Sequence, residues 1–314
     1  MALSHEFQAL TKSFSGFGVD EKSMISILGK WHQDDRKSYR KGCPQFFTQD
    51  DRLFEKWDDR HVAFLKHEFL RLKNAVVLWT MHPWERDARL MKEALVKGPQ
   101  AYAVIIEVAS TRSSEQLLGA RRAYHSLFDH SIEEDVAYHI NDSCRKLLVG
   151  LVSSYRYEGP KVNEEIAKSE AKTLFAAIKN ADKKNPIEDE EVVRILTTRS
   201  KPHLKAIFKH YKEINGKNID EDLDDELSLD ETMQCLCTPQ TYFSKVLGAA
   251  FQNDADEHAK EALTRVIVTR ADDDMKEIKE EYQKKYGVSL SKKIEDAVNG
   301  NYKDFLLTLI ARGE

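Results

Sequence analysis

The sequence predicts an all-α fold built from copies of one helical unit, and three observations predict it. Seven prolines and thirteen glycines in 314 residues leave little to interrupt long helices. An apolar run ending in Thr-Arg occurs three times, in residues 104–113, 192–200 and 264–271, and each arginine has a tyrosine twelve residues on: Arg112 and Tyr124, Arg199 and Tyr211, Arg270 and Tyr282. Each copy then closes on a further apolar helical stretch, in residues 145–152, 232–236 and 302–309.

Between arginine and tyrosine a Ser or Asp start signal opens a helix through Gln116-Leu117-Leu118, His203-Leu204-Lys205 or Met275-Lys276-Glu277-Ile278. A fourth, divergent copy comes first in the chain. It keeps Ile25-Ser26-Ile27-Leu28 and a closing Ala75-Val76-Val77-Leu78-Trp79, but has Lys30-Trp31-His32 in place of Thr-Arg and a longer middle. Four units of about 70 residues follow, each with about five short helices. They span 5–80, 84–155, 167–247 and 248–314, with a linker at 156–166 where Gly159 and Pro160 break the periodicity.

Composition excludes several functions. With 32% charged and 41% hydrophobic residues the chain is globular rather than disordered, and a net charge of −5 argues against nucleic acid or a bare membrane surface as a partner, because both repel an acidic body. Four scattered cysteines suit reduced thiols, and Cys235-Leu236-Cys237 lies on an apolar stretch with no further Cys or His nearby. No secretory signal is visible at the start, and the apolar runs at 75–79, 147–152 and 305–310 are far shorter than the ~20 residues of a membrane span. No phosphate loop, His-Glu-x-x-His, nucleophile elbow or EF-hand pattern occurs, and Asp272-Asp273-Asp274 lacks the turn glycine of a calcium loop.

The stretch most suited to chemistry is Phe14-Ser15-Gly16-Phe17-Gly18-Val19-Asp20-Glu21. Two glycines one residue apart tolerate φ > 0 and let carbonyls swing to one side. The resulting cup of oxygens suits a hard cation such as calcium, which takes about 6–8 oxygens and needs an acidic side chain beside them. A tight helix connection is the other reading of the same residues.

Taken together, the fourfold unit, this loop, Val76-Val77-Leu78-Trp79-Thr80-Met81-His82-Pro83-Trp84-Glu85-Arg86-Asp87-Ala88 and Glu133-Glu134-Asp135-Val136-Ala137-Tyr138-His139 resemble the annexin family, in its plant form. The resemblance covers nearly the whole chain. It implies four five-helix repeats in a curved disc, calcium as the cofactor, and binding to acidic phospholipid membranes. It also implies a cytoplasmic protein that associates with membranes reversibly, and actin or other proteins as further partners. Peroxidase and nucleotide-hydrolysing activities have been linked to plant members, but no catalytic constellation supports an enzyme here.

By the same resemblance the first calcium site would take the carbonyls of Phe14, Gly16 and Gly18 and a bidentate acid, Glu68, from a later loop of the repeat. The connection from Glu68 to Trp79 is one residue shorter than the family pattern, so His67 competes for the acid position, and Val19 replaces the usual threonine. Phe17, at the tip, would enter the headgroup region or fold back on its own repeat. No site is expected in the second repeat, where Lys97-Gly98-Pro99-Gln100 has lost one glycine and His139 stands near the acid position. The third has no loop glycine at 179–184, although Glu226 sits where an acid belongs. In the fourth, Asn253, Asp254 and Asp256 with Asp296 read either as a modified calcium site or as a polar connection. The family's central polar channel would be lined by Asp87, Glu107, Arg112 and Arg270, which read equally as structural ion pairs. Two rival functions remain open: a helical-repeat scaffold for partner proteins, and a calcium-permeable conductance.

Overall fold

The computed structural model describes residues 2–50, 54–153, 155–180, 185–223 and 227–312. They form two compact units, Met1–Thr80 with Phe243–Glu314, and Met81–Tyr242. The chain is helical almost throughout, as expected.

In the first unit, α1 (Ala2–Ser13), α2 (Glu21–Leu28) and α3 (Gln33–Gly42) precede a short antiparallel hairpin, β1 (Phe47–Gln49) and β2 (Glu55–Trp57), in which Phe47 pairs with Trp57. A single helix of 22 residues, α4 (Asp59–Thr80), completes the segment. This corrects two expectations. The longer middle of the first repeat is a hairpin, because its aromatic residues pack as a cluster: the Phe47 and Trp57 rings lie 4.4 Å apart, and Tyr39 and Phe47 5.9 Å apart. Glu68 lies inside α4 rather than in a loop, since no glycine or proline interrupts residues 59–80.

The second unit holds α5 (Pro83–Lys97), α6 (Tyr102–Thr111), α7 (Ser114–Phe128), α8 (Ile132–His139), α9 (Arg145–Val152), α10 (Glu164–Lys179), α11 (Glu190–Thr198), α12 (Lys201–Asn215) and α13 (Leu227–Cys237). Next come α14 (Pro239–Ala250), α15 (Glu257–Arg270), α16 (Met275–Tyr286), α17 (Leu290–Ala297) and α18 (Gly300–Ile310), which from Phe243 onward belong with the first unit. Four of the expected boundaries fall within helices: 5 inside α1, 84 inside α5, 166/167 inside α10 and 247/248 inside α14.

The repeated sequence signals have repeated structural work. Arg112 and Arg199 are extended residues that end α6 and α11, and Ser113 and Ser200 then cap α7 and α12 by accepting from the backbone N–H of Gln116 and His203. Tyr124, Tyr211 and Tyr282 are all fully buried. In the second and third copies the hydroxyl donates to an aspartate eleven residues on, Tyr124 to Asp135 at 2.5 Å and Tyr211 to Asp222 at 2.7 Å. The fourth copy has Lys293 at that offset, and Tyr282 packs on Tyr286 instead.

The three repeat arginines are neutralised locally. Arg112 grips Asp87 with two hydrogen bonds of 2.7 and 2.9 Å, both side chains buried. Arg199 does the same with Glu170, which also takes Arg194 and His203. Counting back from Arg270 by the 25 residues that separate Arg112 from Asp87 reaches Lys245, so Arg270 turns to Asp274 at 2.7 Å and lies over the Phe243 ring.

Glu107 is fully buried on α6 and accepts from the Tyr242 hydroxyl at 3.4 Å. Burial, with Asp230 and then Glu107 nearby, pushes Glu231 up to about 7 from an ordinary 4.5. The folded chain therefore holds a proton on Glu231 that the unfolded chain releases, and stability falls as pH rises from 4.5 through about 7. Glu231→Gln is expected to stabilise the protein by roughly 2 kcal/mol at pH 8 and hardly at all near pH 4.5, measured by thermal unfolding at both.

Candidate functional site

The first loop is held from both sides within the unit formed by Met1–Thr80 and Phe243–Glu314. Asp20 caps α2, accepting from the Ser23 N–H at 3.0 Å and its hydroxyl at 2.6 Å, and the hydroxyl bond above all keeps the Asp20 carboxyl below its usual range. Gly16 and Gly18 take φ of +93° and +76°, which side chains rarely adopt. Residues 297–299 run alongside: Phe17 donates to the Ala297 carbonyl at 3.4 Å, and Asn299 donates its N–H to the Phe17 carbonyl at 2.7 Å and its side-chain amide to the Ser15 carbonyl at 2.5 Å.

These bonds sort the loop carbonyls into two sets. Those of Ser15 and Phe17 are taken by Asn299. Among the described residues, no hydrogen bond uses the carbonyl of Phe14, Gly16 or Gly18, the three expected as calcium ligands.

Glu68, on α4, meets this loop. Its Oε2 accepts the Gly18 N–H at 2.6 Å, and the residue is 2% exposed. His67, the competing residue, is exposed on the same helix, whereas Glu68 is the one that touches the loop. Sequence reasoning missed three partners. Arg71, one turn along α4, donates to both Glu68 oxygens at 2.6 and 2.7 Å and to Glu257 at 2.8 Å. Burial pulls the Arg71 guanidinium down, and the Glu68 ion pair more than offsets this, so it stays above its ordinary value. The i, i+3 spacing on a continuous α4 is the sequence signal for this pair. Asn299 and Glu257 come from the far end of the chain, which local patterns do not reach.

Phe17 is half-buried. Its ring packs edge-on against Phe251 at 5.9 Å, with Arg71 at 5.3 Å and Lys260 at 5.9 Å over it. It rests on residues of α4, α15 and the turn after α14.

The other expected positions are less gathered. Asn253 and Asp254 are exposed in the turn between α14 and α15, Asp256 caps α15 by accepting from the Ala259 N–H at 2.8 Å, and Asp296, exposed on α17, pairs with Lys292 at 2.7 Å. In the second repeat Gly98 starts a short 3-10 turn with Pro99, and its carbonyl accepts from Ala101. Glu226 and residues 181–184 of the third loop lie outside the described residues. Asp87 and Arg112 occupy one another, and Arg270 lies in the other compact unit, paired with Asp274. Among the described residues, no group of three or more His, Cys, Asp or Glu is placed to hold a metal, so a cation site here must draw on backbone oxygen. No helix among them is long and apolar enough to cross a membrane.

Comparison with known proteins agrees with this architecture. The annexin family model matches residues 86–151, 169–231 and 243–309, the second, third and fourth copies of the unit. Annexin D4 of Arabidopsis thaliana is 52% identical over the whole of both chains. Annexin-like protein RJ4 of Fragaria ananassa is 40% identical over 97% of this chain and 94% of its own. Among solved structures, annexin III superposes with a TM-score of 0.70 at 25% identity over 99% of this chain and 94% of its own. The calcium-bound annexin (Sm)1 has the same fold at a TM-score of 0.66 and 19% identity, over 98% and 90%. A unit copied four times, a family model on three of the copies and a full-length likeness to plant relatives make one conclusion: the chain belongs to the annexin family of calcium-dependent phospholipid-binding proteins, in its plant branch.

Proposed function

We propose that the chain attaches to acidic phospholipid membranes through calcium held at the first loop, by the carbonyls of Phe14, Gly16 and Gly18 and the carboxylate of Glu68. The observation that carries this is the division of the loop carbonyls. Three alternate oxygens are uncommitted beside a buried acid, while the two between them are fixed by Asn299. The positive φ of Gly16 and Gly18 maintains that alternation. A calcium ion bound largely by backbone oxygen supplies positive charge and free coordination positions for lipid phosphate. The chain needs such a bridge, since its net charge is −5.

In this reading the half-buried Phe17 ring leaves Phe251 and enters the headgroup layer. The fourth-repeat residues Asn253, Asp254, Asp256 and Asp296 form a subordinate site, because two of the carboxylates already serve a helix cap and a lysine. The protein acts in the cytoplasm and associates with membranes reversibly, with no catalytic step in its function. Sedimentation with phosphatidylserine vesicles tests this: the protein is expected in the pellet with calcium and in the supernatant with chelator. Equal pelleting in chelator would refute calcium dependence.

A further inference from the structure

Glu68, the only side-chain ligand of the proposed site, already has a cation. Its Oε2 accepts from the Gly18 N–H and from Arg71 Nε, both at 2.6 Å, and its Oε1 accepts from Arg71 Nη2 at 2.7 Å. Arg71 and Glu68 expose only 4% and 1% of their side chains. A carboxylate gripped at both oxygens by a guanidinium has little left to offer a bidentate divalent ion, and two cations at one buried carboxylate repel each other with little screening.

We infer that Arg71 is a resident counter-cation that competes with calcium for Glu68 and so sets the calcium concentration at which the first loop fills. This rests on the first-loop reading above and adds its regulation. Three features support competition rather than a fixed scaffold. Arg71 has a second seat, since Nη2 also donates to Glu257 at 2.8 Å, and the Glu257 side chain is 38% exposed. The Phe17 ring, 5.3 Å from the guanidinium carbon, offers a face that a displaced guanidinium keeps. The pair is also built into α4 by i, i+3 spacing, so the guanidinium returns to Glu68 whenever the loop empties. Filling the loop therefore means that Arg71 gives up its two bonds to Glu68 and keeps the one to Glu257.

The test is calcium titration calorimetry on the full chain without lipid, with thermal unfolding in calcium and in chelator. Arg71→Met keeps the apolar stem and removes the charge. It is expected to lower half-saturating calcium by about tenfold, to melt earlier in chelator because Glu68 is left buried and unpaired, and to gain more from calcium than the unaltered protein does. Arg71→Lys should fall between the two, a point charge replacing a fork. Should Arg71→Met not fold in chelator, Glu257→Gln serves: with the charge of the second seat gone, Arg71 holds Glu68 more tightly and half-saturating calcium should rise about threefold. Unchanged or weaker calcium binding in Arg71→Met, or tighter binding in Glu257→Gln, would overturn the inference while leaving the first-loop site intact, provided Glu68→Gln still abolishes the strongest binding. If Glu68→Gln binds calcium as before, the first-loop site itself fails, and the inference with it.

Discussion

Asp87→Ala will cost about 3–5 kcal/mol, because it leaves the Arg112 guanidinium buried without the carboxylate that both its Nε and its Nη2 engage. Both side chains are only 4% exposed, so water cannot take over the lost bonds. Thermal unfolding should show a fall of roughly 6 °C or more in the transition of the unit Met81–Tyr242. The fourth repeat supplies an internal comparison. Arg270 is shared between Asp274 and Asp273 and stacked on Phe243, and the Asp274 side chain is 24% exposed, so Asp274→Ala should cost about 1 kcal/mol. Equal losses in the two variants would mean that the Asp87–Arg112 pair carries no special burial energy. A large loss at Asp87 alone fits a structural ion pair where the family resemblance placed a channel lining.

Gly18→Val will remove most calcium-dependent vesicle binding. A side-chain carbon at Gly18 would lie 2.9 Å from the Asn299 carbonyl oxygen and 3.3 Å from the Tyr302 ring, and valine strongly disfavours φ near +76°. The backbone must turn, and three things then move together: the Gly18 carbonyl, the Gly18 N–H on Glu68, and the strand-like pairing with residues 297–299. A strain of about 1–2 kcal/mol at this one residue corresponds to roughly a tenfold higher calcium requirement. Losing the carbonyl itself raises the requirement further. Sedimentation across a calcium series checks this, and a curve that superposes on that of the unaltered protein would remove Gly18 from the site. Tyr302, fully buried and bonded to Thr264 at 2.6 Å, makes the floor below the loop unable to yield.

Much of this was legible in the residues. The Thr-Arg runs, their tyrosines and their serine caps are local signals, and each became a helix end, a buried ring or a cap. The Gly-x-Gly loop was legible because φ > 0 has few sequence solutions. What stayed hidden was tertiary. Whether residues 59–80 form one helix or two depends on the absence of a breaker, and the family pattern places the acid in a loop. The hairpin at Phe47–Gln49 and Glu55–Trp57 follows from aromatic packing against Tyr39, which no periodicity announces in strands of three residues. Asn299 reaches the first loop, and Glu257 reaches Arg71 on α4, from over 180 residues away, so only folding brings them there.

The most direct measurement is a crystal structure of the full chain grown with calcium, with the ion located by anomalous scattering. An ion is expected about 2.3–2.6 Å from the carbonyl oxygens of Phe14, Gly16 and Gly18 and from both oxygens of Glu68, with Arg71 turned to Glu257. A first loop without an ion, Arg71 still bound to Glu68, and calcium found only at other loops would contradict this.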